Sequence, residues 1–98
     1  MEDVSERMFV MTECVSKIAE KANLSEMTKM RALALLKTAK ETGYTAGKNP
    51  TCLAAAALYL ACTLEGGDVT QKAVAEAAGV SANTIRIRSK GIQASLGT

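Results

Sequence analysis

The stretch PTCLAAAALYLACTL, Pro50 to Leu64, carries no charged side chain. Ala54 to Ala57 run consecutively between Leu53 and Leu58. Alanine is the strongest helix former, with leucine close behind. Pro50 fits a first helical turn, where the missing N–H would have no intrahelical partner. The stretch is therefore predicted to be a helix that is apolar on nearly every face. Such a helix is either surrounded by protein or inserted in lipid. It is shorter than the about 20 residues that a bilayer crossing needs. The prediction is a central helix with others packed around it, the alanines permitting close approach.

The rest of the chain suits that plan. Hydrophobic residues make up 48% of its 98 residues, aromatics only 3%, and there is one proline. The core must then be built from Ala, Leu, Met, Val and Ile, which favours an all-α protein. Without repeats, linkers or low-complexity stretches, residues 1–98 read as one compact domain.

Four more helical segments surround the central one. The first runs from about Val4 to Ala22, with an apolar stripe of Val4, Met8, Met11, Val15, Ile18 and Ala22. Glu2, Asp3 and Glu6 at its start and Lys17 and Lys21 near its end suit the helix dipole. The second follows Ser25, a candidate N-cap, and stops at Gly43. Its expected buried side is Met27, Met30, Leu33, Ala34 and Leu36. The loop YTAGKNP leads into the central helix, and EGGD ends it. The fourth segment is short, Thr70 to Ala78, and the fifth runs from an N-cap at Ser81 to about Ser95. Gly91 inside the fifth costs about 1 kcal/mol relative to Ala, so its last turns are expected to fray.

The last two segments pass the test for a helix-turn-helix. That motif joins two helices at a wide angle through a short turn that often contains Gly. Val74, Ala75 and Ala78 supply small and apolar positions, Gly79 the turn, Val80 the corner and Ile85 the inner side of the second helix. Phased at about 100° per residue, Ile85, Ser89, Ile92 and Leu96 share one side of that helix. Asn83, Ile87, Lys90 and Ala94 point the opposite way, with Arg86 on one flank and Arg88 on the other. Recognition helices carry base-reading groups near their start. Arg pairs bidentately with guanine, and Asn with adenine. Thr70, Gln71, Lys72 and Ser81 lie at the two helix N-termini, where backbone amides and short polar groups hold phosphates. Ile87 is expected to be half buried against a neighbouring helix, the alternative being contact with a thymine methyl.

Charge agrees in its distribution more than in its sum. The net charge is +2. Residues 1–68 carry eight basic and nine acidic side chains, whereas residues 69–98 set Lys72, Arg86, Arg88 and Lys90 against Glu76 alone. The basic excess thus lies in the motif, where a phosphate backbone would be drawn; a solvated helix face is the plainer reading of the same charges.

Chemistry of other kinds finds little support. Cys14, Cys52 and Cys62 fit no zinc spacing, and the chain has no His to serve as ligand or base. They are expected to be buried free thiols in a reducing compartment. No metal, cofactor or catalytic set is implied. The acidic N-terminus has no apolar run, so a soluble intracellular protein is expected.

Two quoted stretches together, GKNPTCLAAAALYLACTLEGG and TQKAVAEAAGVSANTIRIRSK, resemble the second cyclin-like repeat of the transcription initiation factor B family, archaeal TFB and eukaryotic TFIIB. Typical members show Gly-Lys-x-Pro, a Leu-Ala-Ala-Ala-x-Leu-Tyr helix, Thr-Gln-Lys-x-hydrophobic-Ala, and Gly-Val-x-x-x-Thr-hydrophobic-Arg. The match is dense from Gly47 to Arg88 and looser before that. It implies a five-helix cyclin fold with a central third helix and a helix-turn-helix made by the last two. It also implies a helix-turn-helix bound to duplex promoter DNA upstream of the TATA box, at the B recognition element. The partners implied are TATA-binding protein and, through the full-length factor, RNA polymerase. Carried over, Asn83 and Arg86 would read bases, while Gln71, Lys72, Thr84 and Arg88 would lie near the backbone or shape the motif. The family commonly has Val at the position of Asn83, Asn at Ile87 and an aromatic at Ser89. Its zinc ribbon and first cyclin repeat do not occur in these 98 residues, so an excised domain or a single-repeat relative is expected. The expected state is a monomer in the cytoplasm, on the nucleoid in an archaeon, or in the nucleus of a eukaryote. The competing expectation is a cyclin-like protein-interaction adaptor that reads no DNA sequence.

Overall fold

A computed structural model describes residues 4–67 and 69–97, and side chains from Glu6 onward. Five α-helices follow in order: α1 Val4–Lys21, α2 Glu26–Glu41, α3 Pro50–Leu64, α4 Gln71–Ala78 and α5 Ala82–Ser95. No strand occurs among the described residues. The expected roles of Glu2, Asp3, the Val4 side chain and Asp68 lie outside the described residues.

The third helix is central, as its composition requires. It packs against each of the other four helices. Leu53, the four alanines, Leu58, Leu60, Ala61 and Cys62 are all buried on it. Asn49 caps it by accepting from the Thr51 and Cys52 amides, and Pro50 occupies its first turn. Around it stand Met11 and Val15 from α1, Leu36 from α2, Val74 from α4, and Ile85 and Ile92 from α5, every one fully buried. Each such side chain withdraws enough apolar surface to contribute about 1.5–3 kcal/mol. Among the described residues no helix is long and apolar enough to cross a membrane.

On α2 the observed face differs from the predicted one. Thr28, Ala32, Leu36 and Ala39 are buried. Met27 and Met30 are 66% and 63% exposed, Ala34 is exposed as well, and Leu33 is partly buried. The two stripes share helical spacing, and hydrophobicity alone favours the methionines. Thr28 wins because its hydroxyl is satisfied: it donates to Glu65 Oε1 at 2.6 Å, just past the end of α3. Arg31 pairs with the same carboxylate at 3.4 Å. A hydrogen-bonded threonine can be buried at little cost.

The other differences are local. Cys62 is buried as expected, whereas Cys14 and Cys52 are half-buried, and all three are free thiols. The turn between α2 and α3 is tied down at several points. Tyr44 N–H donates to Ala39 O at 3.0 Å. Arg7 Nη2 donates to Thr45 O at 2.7 Å and also to Lys48 O.

Candidate nucleic-acid interface

The last two helices meet through a three-residue corner, Gly79, Val80 and Ser81. Gly79 adopts φ 72°, ψ 30°, a left-handed conformation that costs a residue with a Cβ about 1–2 kcal/mol. Its N–H and that of Val80 both donate to Ala75 O, at 2.8 and 3.1 Å, closing the end of α4. Val80 is partly buried against the core, as the expected corner plug.

Each helix starts on a hydroxyl cap. Thr70 Oγ1 accepts from the Ala73 amide at 3.0 Å. Ser81 Oγ accepts from the Thr84 amide at 3.1 Å and lies 2.8 Å from Thr84 Oγ1. The hydroxyls of Thr70, Ser81 and Thr84 are thus engaged in shaping the motif. Gln71 is half-buried and Lys72 exposed at the start of α4.

On α5 the inner side is Ile85, Ser89 and Ile92, all buried, with Leu96 partly so. The small Ser89 stays buried by donating its hydroxyl to Arg86 O at 3.1 Å. Asn83, Arg86 and Lys90 are exposed and form one row along the opposite side. Arg86 Nη2 donates to Asn83 Oδ1, which joins the two groups into one polar unit. Arg88 is half-buried on the other flank, next to Thr84 by helical phase. The structure therefore brings Asn83, Arg86 and Lys90 together and sets Arg88 apart. No acidic side chain occurs on α5, so the field at this face is positive.

Two residues on α5 differ from expectation. Ile87 is 46% exposed, more open than the other isoleucines of α5. It faces outward because Ile85 and Ile92 already fill the inner side. Gly91 does not end the helix, which continues to Ser95. A Cβ placed on Gly91 would lie 1.8 Å from Tyr44 Oη. The glycine is where the Tyr44 ring reaches the backbone of α5.

That ring carries a cation absent from the sequence reading. Lys48 Nζ stands 4.3 Å from the Tyr44 ring centroid. The only sequence signal was a tyrosine four residues before a lysine, with a glycine placed in a distant helix. Among the described residues no group of His, Cys, Asp or Glu could hold a metal ion.

A five-helix bundle around a buried alanine-rich helix, closed by a helix-turn-helix with a basic outer face, defines a cyclin-like domain. The sequence profile of the transcription factor TFIIB repeat matches residues 6–94, and the chain belongs to that family. It is 45% identical over 86 residues to transcription initiation factor IIB of Pyrococcus abyssi, covering 88% of this chain and 29% of the relative. It is 46% identical over 79 residues to transcription initiation factor IIB 1 of Thermococcus kodakarensis, covering 81% of this chain and 26% of the relative. Transcription initiation factor IIB 1 of Thermoplasma volcanium is 47% identical over 76 residues, 78% of this chain and 24% of its own length. The chain thus spans less than a third of the length of these relatives.

Proposed function

We propose that this chain acts in transcription initiation by binding duplex promoter DNA upstream of a TATA box, at the B recognition element. It does so through α4 and α5 and beside TATA-binding protein. The observation that carries this reading is the exposed Asn83–Arg86–Lys90 row on a helix without acidic groups, in a chain related to initiation factors. Asn83 and Arg86 offer the amide and guanidinium groups that read adenine and guanine edges. Lys72, Lys90 and Arg88 neutralise phosphates. Thr70, Ser81 and Thr84 hold the geometry, and Gln71 lies at the start of α4. Exposed Ile87 is available to a thymine methyl. Recruitment of RNA polymerase falls to a full-length factor, residues 1–98 forming a single domain.

Fluorescence anisotropy tests this with the 98-residue chain, with and without TATA-binding protein. The probes are a duplex carrying the segment upstream of a TATA box and a scrambled duplex. Arg86→Ala is expected to weaken binding to the first by about 1–3 kcal/mol and to narrow the difference between them. Equal binding by wild type and variant at matched salt would remove the base-reading role.

The second reading, a protein-interaction adaptor, is favoured by one observation: Met27 and Met30 stand exposed on α2. Chemical-shift mapping separates the two. Perturbations confined to residues 1–60 with a protein partner, and none around 80–90 with DNA, would favour the adaptor.

A further inference from the structure

We propose that the turn between α2 and α3 supplies a second DNA-backbone contact, with Lys48 and Arg88 gripping phosphates on the flank of α5 opposite Arg86. The proposal rests on duplex binding by α5 and adds a residue and an edge to it.

Three side chains, Arg88, Tyr44 and Lys48, and one glycine, Gly91, define the edge. Arg88 and Gly91 are three residues apart, so they share one flank of α5. At Gly91 the Tyr44 phenol lies directly on the helix, its Oη 1.8 Å, Cζ 2.2 Å and Cε1 2.6 Å from where a Cβ would be. Lys48 Nζ sits 4.3 Å from the centroid of that same ring. The ring therefore carries the ammonium to α5, one helical turn beyond Arg88. Asn83, Arg86 and Lys90 face away from this flank. A helix seated in a major groove about 12 Å wide has a phosphodiester strand on each side. The Arg86–Lys90 side meets one strand, and the Arg88–Lys48 side meets the other.

Lys48 is held ready for this task. Arg7 Nη2 donates to the carbonyls of both Thr45 and Lys48. Thr45 is buried. Asn49, next in sequence, accepts from Thr51 N at 2.8 Å and Cys52 N at 3.2 Å. The turn is fixed at both ends, so little backbone ordering remains to be lost on binding. Among the described residues no carboxylate pairs with Lys48. An ammonium resting on a ring face keeps N–H donors for a phosphate oxygen, since lysine has three. Phosphate contacts position a protein on DNA without reading sequence, and this separates Lys48 from Arg86 by experiment.

The test is anisotropy of the 98-residue chain on the two duplexes above, across a NaCl series, with the melting temperature of each variant measured alongside. Lys48→Gln is expected to weaken both duplexes by the same factor. It should make the plot of log affinity against log salt shallower by about 0.9, the value for one lost phosphate contact. Lys48→Arg restores both quantities, and the melting temperature of Lys48→Gln stays at the wild-type value. Arg86→Ala, by contrast, changes the ratio between the duplexes. If the wild type binds and Lys48→Gln matches it in affinity and slope, the Lys48 contact is wrong while the α5 interface stands. If Lys48→Gln alters only the ratio between duplexes, Lys48 reads bases and the backbone assignment falls. If the wild type binds neither duplex, the interface and this contact fall together.

Discussion

Arg86 Nη2 donates to Asn83 Oδ1 at 2.5 Å across one turn of α5, and both side chains are exposed. In the free protein the guanidinium is thereby oriented by its neighbour. Asn83 is also the position where the resemblance implies valine. Replacing it removes the acceptor and leaves Arg86 to sample other rotamers. Asn83→Val is expected to shift base preference at the Arg86 contact as well as at its own. The Asn83→Val/Arg86→Ala double variant should lose less binding energy than the two single losses together, with a coupling of about 0.5 kcal/mol or more. A double-mutant cycle by anisotropy measures it, and strict additivity would show that the two groups act independently.

Gly91→Ala sets helix propensity against packing. Alanine is better in a helix interior by about 1 kcal/mol. The added Cβ, however, would occupy the space of the Tyr44 phenol. The ring must swing off α5, giving up its packing and moving Lys48. Overpacking of this kind costs about 1–3 kcal/mol, so the variant is expected to be less stable than the wild type. In a Tyr44→Ala background the clash is gone, and the same substitution should stabilise. Urea titrations of the four proteins decide it; a stabilised Gly91→Ala single variant would show that the ring moves at no cost.

How far these relationships were legible from the residues differs by kind. The central helix followed from Ala54–Ala57 and the absence of charge, because burial on all sides leaves no other residue choice. The corner at Gly79 followed from backbone sterics. The face of α2 did not follow, because Thr28 is polar by composition and its hydroxyl is satisfied by Glu65, a partner 37 residues away, as well as by the nearby Ser25. Gly91 misled for the same reason. Its propensity cost is local, while its use depends on Tyr44 in a distant turn. For the candidate interface, helical phase placed Asn83 and Lys90 on the outward side with Arg86 on its flank, but it could not reach Lys48, which lies on another element.

The α2 face gives a sharp contrast in stability. Met30 is 63% exposed, so Met30→Ala should change stability by less than about 0.5 kcal/mol. Leu58 is fully buried in the central helix, so Leu58→Ala should cost about 2–5 kcal/mol. Thr28→Val, which leaves Glu65 Oε1 without its donor, should cost about 1 kcal/mol although it adds a methyl to a buried site. Thermal or chemical unfolding of the three variants checks the set. A loss at Met30 as large as at Leu58 would put the methionine in the core after all.

The hydroxyls that open α4 and α5 cap helices, and this separates stability from recognition. Ser81 Oγ accepts from the Thr84 amide, and Thr70 Oγ1 from the Ala73 amide. Removing either cap should cost about 1 kcal/mol of stability. Ser81→Asp retains a good cap, since an aspartate oxygen accepts the same amide and its charge suits a helix N-terminus. On DNA the same charge faces phosphates. Ser81→Ala is therefore expected to lower the unfolding midpoint with little change in affinity for duplex at low temperature. Ser81→Asp should keep the midpoint and weaken binding, most strongly at low salt, where screening is least. Parallel unfolding and anisotropy measurements distinguish the two variants. Undiminished duplex binding by Ser81→Asp at low salt would place the start of α5 away from the DNA backbone.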